Sequence, residues 1–514
     1  MASHLMPLDR VVDLHALSSL ISIPTIVIFA LVWTISKIVY NIHFHPLSSY
    51  PGPFLGRAFN VYISILELRG TQHTEIKKWH DTYGEVVRIA PNTLSYNSSQ
   101  AWEEICGHRS GSRKLLFDKD REFFVLPPNG EPSIIAANGE HHRRLRRLLA
   151  HAFSEKALRA QEAYIKAYVD LLITQLKNRG TTGNGVVNMV HWFNFTTFDV
   201  IGDLAFGETF SLLKEGVWSR YLSTIFGSVY FGVFERLLRR LLPLTWKAWI
   251  KLITPKKLLD DRMFQYHLAK DKLARRMARE TERPDFVHYL LKQSHETVGA
   301  DGLTFEEMVS QAIVLLVAGS ETTASLLSGM LYHLLVNPDA LARLMEEVRS
   351  SFPEETDISI QSVSYLPYLQ AVIEESLRVY PPVPNALPRS TPQPGEVICG
   401  KFVPGGTSVG MHHYACYRSS KNFFEPDSFH PERWLDNDDA RFANDDKNAF
   451  HPFSHGPRNC IGKNLAYAEM KLIVAKFFWN FDVELQPESR HWTQQKATII
   501  WKKNPLFVKL TLRE

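Results

Sequence analysis

From Leu14 to Ser36 the chain carries no Asp, Glu, Lys or Arg. At about 1.5 Å per residue, a helix of this length crosses a bilayer. Pro24 falls inside the run, and a proline kink is tolerated in a transmembrane helix. Residues 14–40 therefore read as a transmembrane anchor behind a short tail, 1–13, with a cleaved signal peptide as the rival reading. Asp9 and Asp13 precede the run and Lys37 follows it, a weak bias that puts the rest of the chain on the cytoplasmic side. His45-Pro46-Leu47-Ser48-Ser49-Tyr50-Pro51-Gly52-Pro53 then packs three prolines into nine positions. That composition predicts a stiff, non-helical hinge over 41–53.

A second long apolar pattern begins at Thr304-Phe305-Glu306-Glu307. Thr304 as N-cap with Glu307 three residues later is a capping box. Apolar positions continue to Leu335 and Val336, and Asn337-Pro338 ends them. The pattern predicts a helix of about 30 residues, roughly 45 Å, which has to run through the middle of a fold. Ala318-Gly319-Ser320-Glu321-Thr322-Thr323 breaks it near the centre. A buried acid and hydroxyls are costly unless satisfied, and glycine weakens a helix by about 1 kcal/mol relative to Ala. A local rule broken in this way marks a functional site, or a hydroxyl-rich kink with Glu321 in a structural salt bridge. Pro367 to Tyr380 reads as a shorter helix stopped by Pro381-Pro382, with Glu375 and Arg378 on one face. Leu465, Ala468, Met470, Leu472 and Ile473 mark a buried helix near the C-terminus. Between Glu235 and Leu259, Trp246, Lys247, Trp249 and Lys251 alternate rings with cations. Such a segment suits a bilayer interface or an amphipathic helix packed on the core.

Composition narrows the options. Of 514 residues 45% are hydrophobic and 22% charged, ordinary globular usage. Length alone suggests about three domains. No repeat, low-complexity tract or Gly/Ser linker divides residues 54–514, which read as one large domain. A net charge of +4 is too small to point to nucleic acid. The four cysteines, Cys106, Cys399, Cys416 and Cys460, form no C-x-x-C pair. A zinc site and a disulfide framework are both disfavoured, and the domain reads as lying in a reducing compartment.

The chemistry concentrates in Phe453-Ser454-His455-Gly456-Pro457-Arg458-Asn459-Cys460-Ile461-Gly462. One cysteine stands before an apolar helix, with a cation two residues earlier and a glycine on each side. Helix-start N–H groups and Arg458 favour the thiolate, and the glycines let the backbone approach a flat ligand. A buried structural cysteine is the alternative.

This loop resembles the haem-binding loop of the cytochrome P-450 family. Ala318–Thr323 resembles the family's oxygen-activation motif, and the proline hinge resembles that of microsomal, filamentous-fungal members. The resemblance covers nearly the whole chain. It implies a mainly α-helical cytochrome P-450 fold with small β-sheets, preceded by a single transmembrane helix. It implies haem b (iron protoporphyrin IX) with Cys460 as axial ligand of the iron, and Phe453 and Gly319 beside the cofactor. Arg458, Arg389, Arg146 and His142 would meet the propionates; the family usually has Trp where His142 stands. Thr322 and Glu321 would deliver protons. Glu375, Arg378 and Arg433 of Phe429-His430-Pro431-Glu432-Arg433-Trp434 would form a buried network that holds the cysteine loop. Val314, Ala318, Val383 to Leu387, Phe123, Phe124 and the 130s are the candidate substrate wall, mostly apolar.

The activity so implied is monooxygenation of a lipophilic terpenoid, polyketide or alkaloid intermediate at the endoplasmic reticulum membrane. Electrons would come from NADPH-cytochrome P-450 reductase, with cytochrome b5 as a second donor. A reductase-independent rearranging or dehydrating enzyme and a non-catalytic haem-binding protein are the alternatives.

Overall fold

The computed structural model describes residues 23–109, 116–180, 184–279, 281–296, 302–436 and 439–513. The tail and the first part of the expected anchor lie outside them. The described part of the expected anchor is helix α1, Ile23–Val39, with no residue buried against the body. The run Ile23–Phe44 is long and apolar enough to cross a membrane.

The expected hinge is not a free spacer. Leu47 and Tyr50 are buried in a hydrophobic cluster with Leu94, Tyr96 and Val409. Arg88, fully buried, donates to the Asn41 carbonyl at 2.8 Å, and Arg57 donates to the Ile42 carbonyl at 3.3 Å. The hinge is also not non-helical throughout: Tyr40–Phe44 is a short π-helix, hydrogen-bonded turns follow from His45 to Tyr50, and Arg88 with the partly buried Arg57 holds the segment against the body.

The body is built around α4, Phe305–Leu335, the long helix read from sequence. Its capping box is complete: Glu307 N–H donates to Thr304 Oγ1 at 3.2 Å, and Thr304 N–H donates to Glu307 Oε2 at 2.9 Å. Because most of its circumference is apolar, it is buried on nearly every side. Its main neighbour is α3, Met189–Phe206, a helix buried along almost its full length. The two approach closely at Gly319, where a Cβ would lie 2.8 Å from Ile201 Cδ1. Helix α2, Gly139–Ala150, and helices α5, Pro367–Val379, and α6, Lys463–Asn480, complete the surroundings of the site.

A five-stranded sheet flanks these helices in the order β1 (Val86–Ala90), β2 (Thr93–Tyr96), β5 (Ser408–Met411), β4 (Arg389–Ser390), β3 (Asp118–Lys119). Pairing is antiparallel except between β2 and β5. Its register sets Lys119 directly opposite Arg389. A short hairpin, β6 (Lys496–Ala497) with β7 (Trp501–Lys502), lies near the C-terminus.

Candidate active site

A cavity with about 1340 Å³ of atom-free space, part of it open to solvent, separates α4 from the cysteine loop. Phe453, Cys460, Ile461, Ala466 and Met470 form its floor, and Val314, Leu315, Ala318, Thr322, Thr323 and Leu326 its roof. Phe124, Ile134, Ile135, Pro381, Pro382, Val383 and Leu387 make apolar walls. Lys119, His142, Arg146, Arg389 and Arg458 gather along one side.

The floor is a loop closed on itself, Cys460 N–H donating to the Phe453 carbonyl at 2.8 Å. Phe453 packs on the Tyr467 ring of α6, centroids 5.1 Å apart. Gly456 adopts a positive φ of 68°, and a Cβ there would collide with the Cys106 carbonyl. Its freedom therefore serves the turn against Cys106, not approach to a ligand. Gly462 has φ −86°, and a Cβ there would meet only Phe153 Cε1 at 3.9 Å, which leaves room beside the loop.

Arg458 also departs from expectation. It donates to Asn138 Oδ1 at 3.0 Å and Asp118 Oδ1 at 2.9 Å rather than attending the sulfur. Burial pushes the Cys460 thiol up, opposed by the Gly462 N–H and the charges of Arg146 and Lys463. The protein alone therefore does not favour a thiolate; a coordinated metal ion, which displaces the proton outright, does.

Behind the floor, Glu375, Arg378 and Arg433 interlock as expected, all side chains fully buried. Arg378 grips Glu375 with two bonds, Nε to Oε2 at 2.9 Å and Nη2 to Oε1 at 2.7 Å. Arg433 Nε lies 3.1 Å from Glu375 Oε2. Sequence reading missed two members: Asp445, paired with Arg433 Nη1, and Trp434, whose Nε1 donates to Glu375 Oε2 at 2.8 Å. Surplus guanidinium donors bind the carbonyls of Tyr417, Pro426, Ser428 and Phe424. The network reaches the cysteine loop by two routes: Trp434 packs on Phe450, and the Tyr417 hydroxyl accepts the His451 N–H at 3.2 Å.

The cationic side is organised differently. Arg146 reaches the loop itself, donating to the Asn459 carbonyl at 2.6 Å and Oδ1 at 2.7 Å. Lys119, absent from the sequence-derived set, is buried and donates to the Ile134 carbonyl. Burial and the charges of Arg389, Arg458 and Arg146 push its ammonium down to about 6. Like charges directly opposite in a sheet repel, yet the register imposes that on Lys119 and Arg389. Among the described residues, Arg389 Nη1 and Arg458 Nε are buried without a hydrogen-bond partner. Burial and the same cations push His142 down to about 3, leaving it neutral, with one ring N–H to donate. No motif flags Lys119, which stands in a two-residue strand and owes its place to sheet topology.

Two expected members of the roof face elsewhere. Gly319 is packed on Ile201 and does not line the cavity: it opens room for a helix crossing, not for a diatomic ligand. Glu321 is almost fully buried and does not line the cavity either; its Oε1 accepts from Lys503 Nζ. The salt-bridge alternative raised at the sequence level is thus the arrangement observed. Thr322 does line the cavity and donates to the Ala318 carbonyl at 2.7 Å, leaving its oxygen lone pairs available as acceptors. On the walls Phe124 is present, but Phe123 is turned away and stacks under Arg236. Arg144 of α2 is drawn into an internal pair with Glu307.

These residues fit a flat, iron-bearing, dianionic group. A sulfur opens into the floor, and clustered cations with orphaned donors need an anion. The apolar remainder would take a ring system.

The comparisons agree. The profile of the family described as Cytochrome P450 matches residues 46–510. The chain is 44% identical over 479 residues to the cytochrome P450 monooxygenase astJ of Aspergillus oryzae, covering 93% of this chain and 94% of that protein. It is 41% identical over 493 residues to the averantin hydroxylase of Dothistroma septosporum, covering 94% and 90%. It is 40% identical over 489 residues to the versicolorin B desaturase stcL of Emericella nidulans, covering 94% and 97%.

Proposed function

From the premise that this chain belongs to the cytochrome P450 family and is a haem-dependent monooxygenase, we propose that it oxidises a lipophilic natural-product intermediate: a terpenoid, a polyketide or an alkaloid. The observation that carries the reading is the opposition of Cys460 in the floor to Thr322 in the roof across an apolar cavity with a cationic side. Haem b, when bound, supplies the iron at which O2 is activated and the oxidising power to place one oxygen atom in a C–H or C=C bond.

The residues of the chain do the rest. Cys460 holds the iron, and the Glu375–Arg378–Arg433 network keeps its loop in place. Arg146, Arg389, Arg458, Lys119 and His142 take the propionates. The Thr322 hydroxyl holds a water or proton at the cavity roof, with Glu321 as the adjacent acid. Val314, Ala318, Val383, Leu387 and Phe124 exclude water and orient an apolar substrate.

Electrons come from a redox partner, which we assign as an NADPH-dependent flavoprotein reductase. Helix α1 anchors the protein in the endoplasmic reticulum membrane with the body on the cytoplasmic side. Exposed Leu244, Trp249, Leu252 and Ile253 around the helix Trp246–Ile253 suit contact with the same bilayer.

The test is turnover in vesicles with reductase and NADPH, screened against lipophilic terpenoid, polyketide and alkaloid candidates by their spin-state shift. Product that requires both NADPH and O2 is expected. Product formed without an electron donor would replace this reading by a rearranging one. Because one relative is named a desaturase, loss of two hydrogens from the substrate is the second outcome to score.

A further inference from the structure

The acid beside Thr322 faces away from the cavity that it would have to serve. Glu321 and Lys503 are paired with side chains 1% and 2% exposed. Ser325 Oγ bridges them, donating to Glu321 Oε1 at 3.2 Å and accepting from Lys503 Nζ at 3.0 Å. A buried pair of this kind contributes little net stability but is costly to break from one side. Its value lies in where it fixes the carboxylate.

Lys503 stands on a segment that is tied to the substrate wall. It follows β7 directly. Trp501 of β7 stacks on Tyr380 at 4.8 Å, and its indole N–H donates to the Pro381 carbonyl at 2.8 Å. Asn385 Nδ2 donates to the Thr498 carbonyl of the same hairpin at 2.6 Å. Pro381, Pro382, Val383 and Leu387 form one cavity wall, so a molecule pressing on that wall presses on the hairpin. Lys502, Asn504 and Pro505 on either side of Lys503 are exposed. A small shift of the segment therefore brings the ammonium into water and leaves the buried carboxylate unpaired, a cost that it escapes by turning toward the cavity.

We propose that Lys503 is a positioning residue that holds the Glu321 carboxylate out of the cavity, and that displacement of the β6–β7 hairpin by an occupied substrate wall releases Glu321 to deliver protons beside Thr322. This rests on the haem monooxygenase reading above. Freed Glu321 takes a proton from solvent, passes it to an acceptor at the Thr322 side of the cavity and returns to carboxylate, so no net charge accumulates. The ionisable groups acting on it are Lys503 from the C-terminal segment and the Tyr380 phenol from the end of α5, itself hydrogen-bonded to Gln495 at 2.7 Å.

The experiment uses the full-length holoprotein in lipid nanodiscs without substrate. Dithionite-reduced protein is mixed with air-saturated buffer between about pH 6 and 9, and reoxidation is followed in H2O and D2O. Wild type and Lys503→Arg should reoxidise slowly, with matching pH profiles. Lys503→Met should reoxidise about tenfold faster with an enlarged solvent isotope effect. The double variant Lys503→Met/Glu321→Gln should return to the wild-type rate. Trp501→Leu keeps both charges and should show a smaller acceleration, also abolished by Glu321→Gln; it carries the test where Lys503→Met does not fold. A wild-type rate in Lys503→Met or Trp501→Leu, or an acceleration that survives Glu321→Gln, overturns the proposal. The reduced-CO band of each protein reports the haem-thiolate centre separately. Its absence from wild type would defeat the reading of the centre rather than that of Lys503.

Discussion

The two sides of the cysteine loop are built on opposite principles. Behind it, Glu375, Arg378, Arg433, Asp445 and Trp434 satisfy one another completely with every charge removed from water. In front of it, Lys119, Arg146, Arg389 and Arg458 share one region of the cavity, with two guanidinium nitrogens unpartnered. A satisfied buried network makes a frame that keeps its shape without help. An unsatisfied cluster stores a demand that only an anion meets. The difference separates what holds the site from what the site holds.

The largest effects should come from the frame and its sulfur. Cys460→Ala removes the proposed iron ligand, and the reduced-CO absorbance band of thiolate-ligated haem should vanish; a retained band would remove Cys460 from the centre. Arg433→Leu strands Asp445 in the interior and takes from Glu375 one of its two arginines. Leaving a buried charge unpaired costs about 3–5 kcal/mol, a large part of a domain's stability. The variant should give little or no folded holoprotein, measured as haem content per polypeptide. If it folded with full haem content, the contrast between frame and cluster would collapse.

The cationic side should respond less severely and in a pH-dependent way. Lys119 is held down to about 6, so at neutral pH it is largely neutral before the propionates arrive. Bound propionates raise it again, so haem binding takes up a proton. The sign follows: affinity is greatest below about pH 6 and weakens as pH rises toward the raised value in the complex. Calorimetry in buffers of different ionisation enthalpy should show this uptake in wild type and its loss in Lys119→Met. Haem should be held about tenfold less tightly in that variant, the scale of one charge-assisted contact. Equal uptake in both proteins would take Lys119 off the propionates.

Sequence resolved these regions unequally, for a physical reason. The capping box at Thr304, the stop at Asn337-Pro338 and the Glu375–Arg378 spacing are local, and the structure reproduces each. The cysteine loop was legible because its chemistry is contiguous. Asp445, Lys119 and Lys503 were not, because each reaches its place only through chain topology: a loop folded onto Arg433, a strand paired with β4, a segment following a hairpin. Gly319 and Glu321 were seen as members of a motif, but sequence does not say which way a helical residue faces. Both point away from the cavity.

Thr322→Ala deletes the only side-chain hydroxyl of the Glu321-Thr322 pair that reaches the cavity. Haem content and the CO band should stay as in wild type. More of the NADPH consumed should end as peroxide, with product per NADPH falling by about tenfold, below the roughly 10²–10⁴-fold of a complete acid–base group because Thr322 is one member of a pair. Unchanged coupling would leave the roof with no chemical role and reduce the site to cations and a sulfur.

Gly319→Ala should have the smallest effect, and it asks whether the roof glycine belongs to the site or to the frame. Alanine adds about 1 kcal/mol of helix propensity, while its Cβ arrives 2.8 Å from Ile201 Cδ1 in a tightly packed crossing. Overpacking of that kind costs about 1–3 kcal/mol, so the net change should be a destabilisation of up to about 2 kcal/mol, read as a fall in melting temperature. Ile201→Val deletes Cδ1, the nearer atom, and should recover part of the loss when combined with Gly319→Ala. CO affinity should not move in either variant, because the added methyl faces α3 and not the cavity. A fall in CO affinity without a fall in melting temperature would return Gly319 to the cofactor side of the roof.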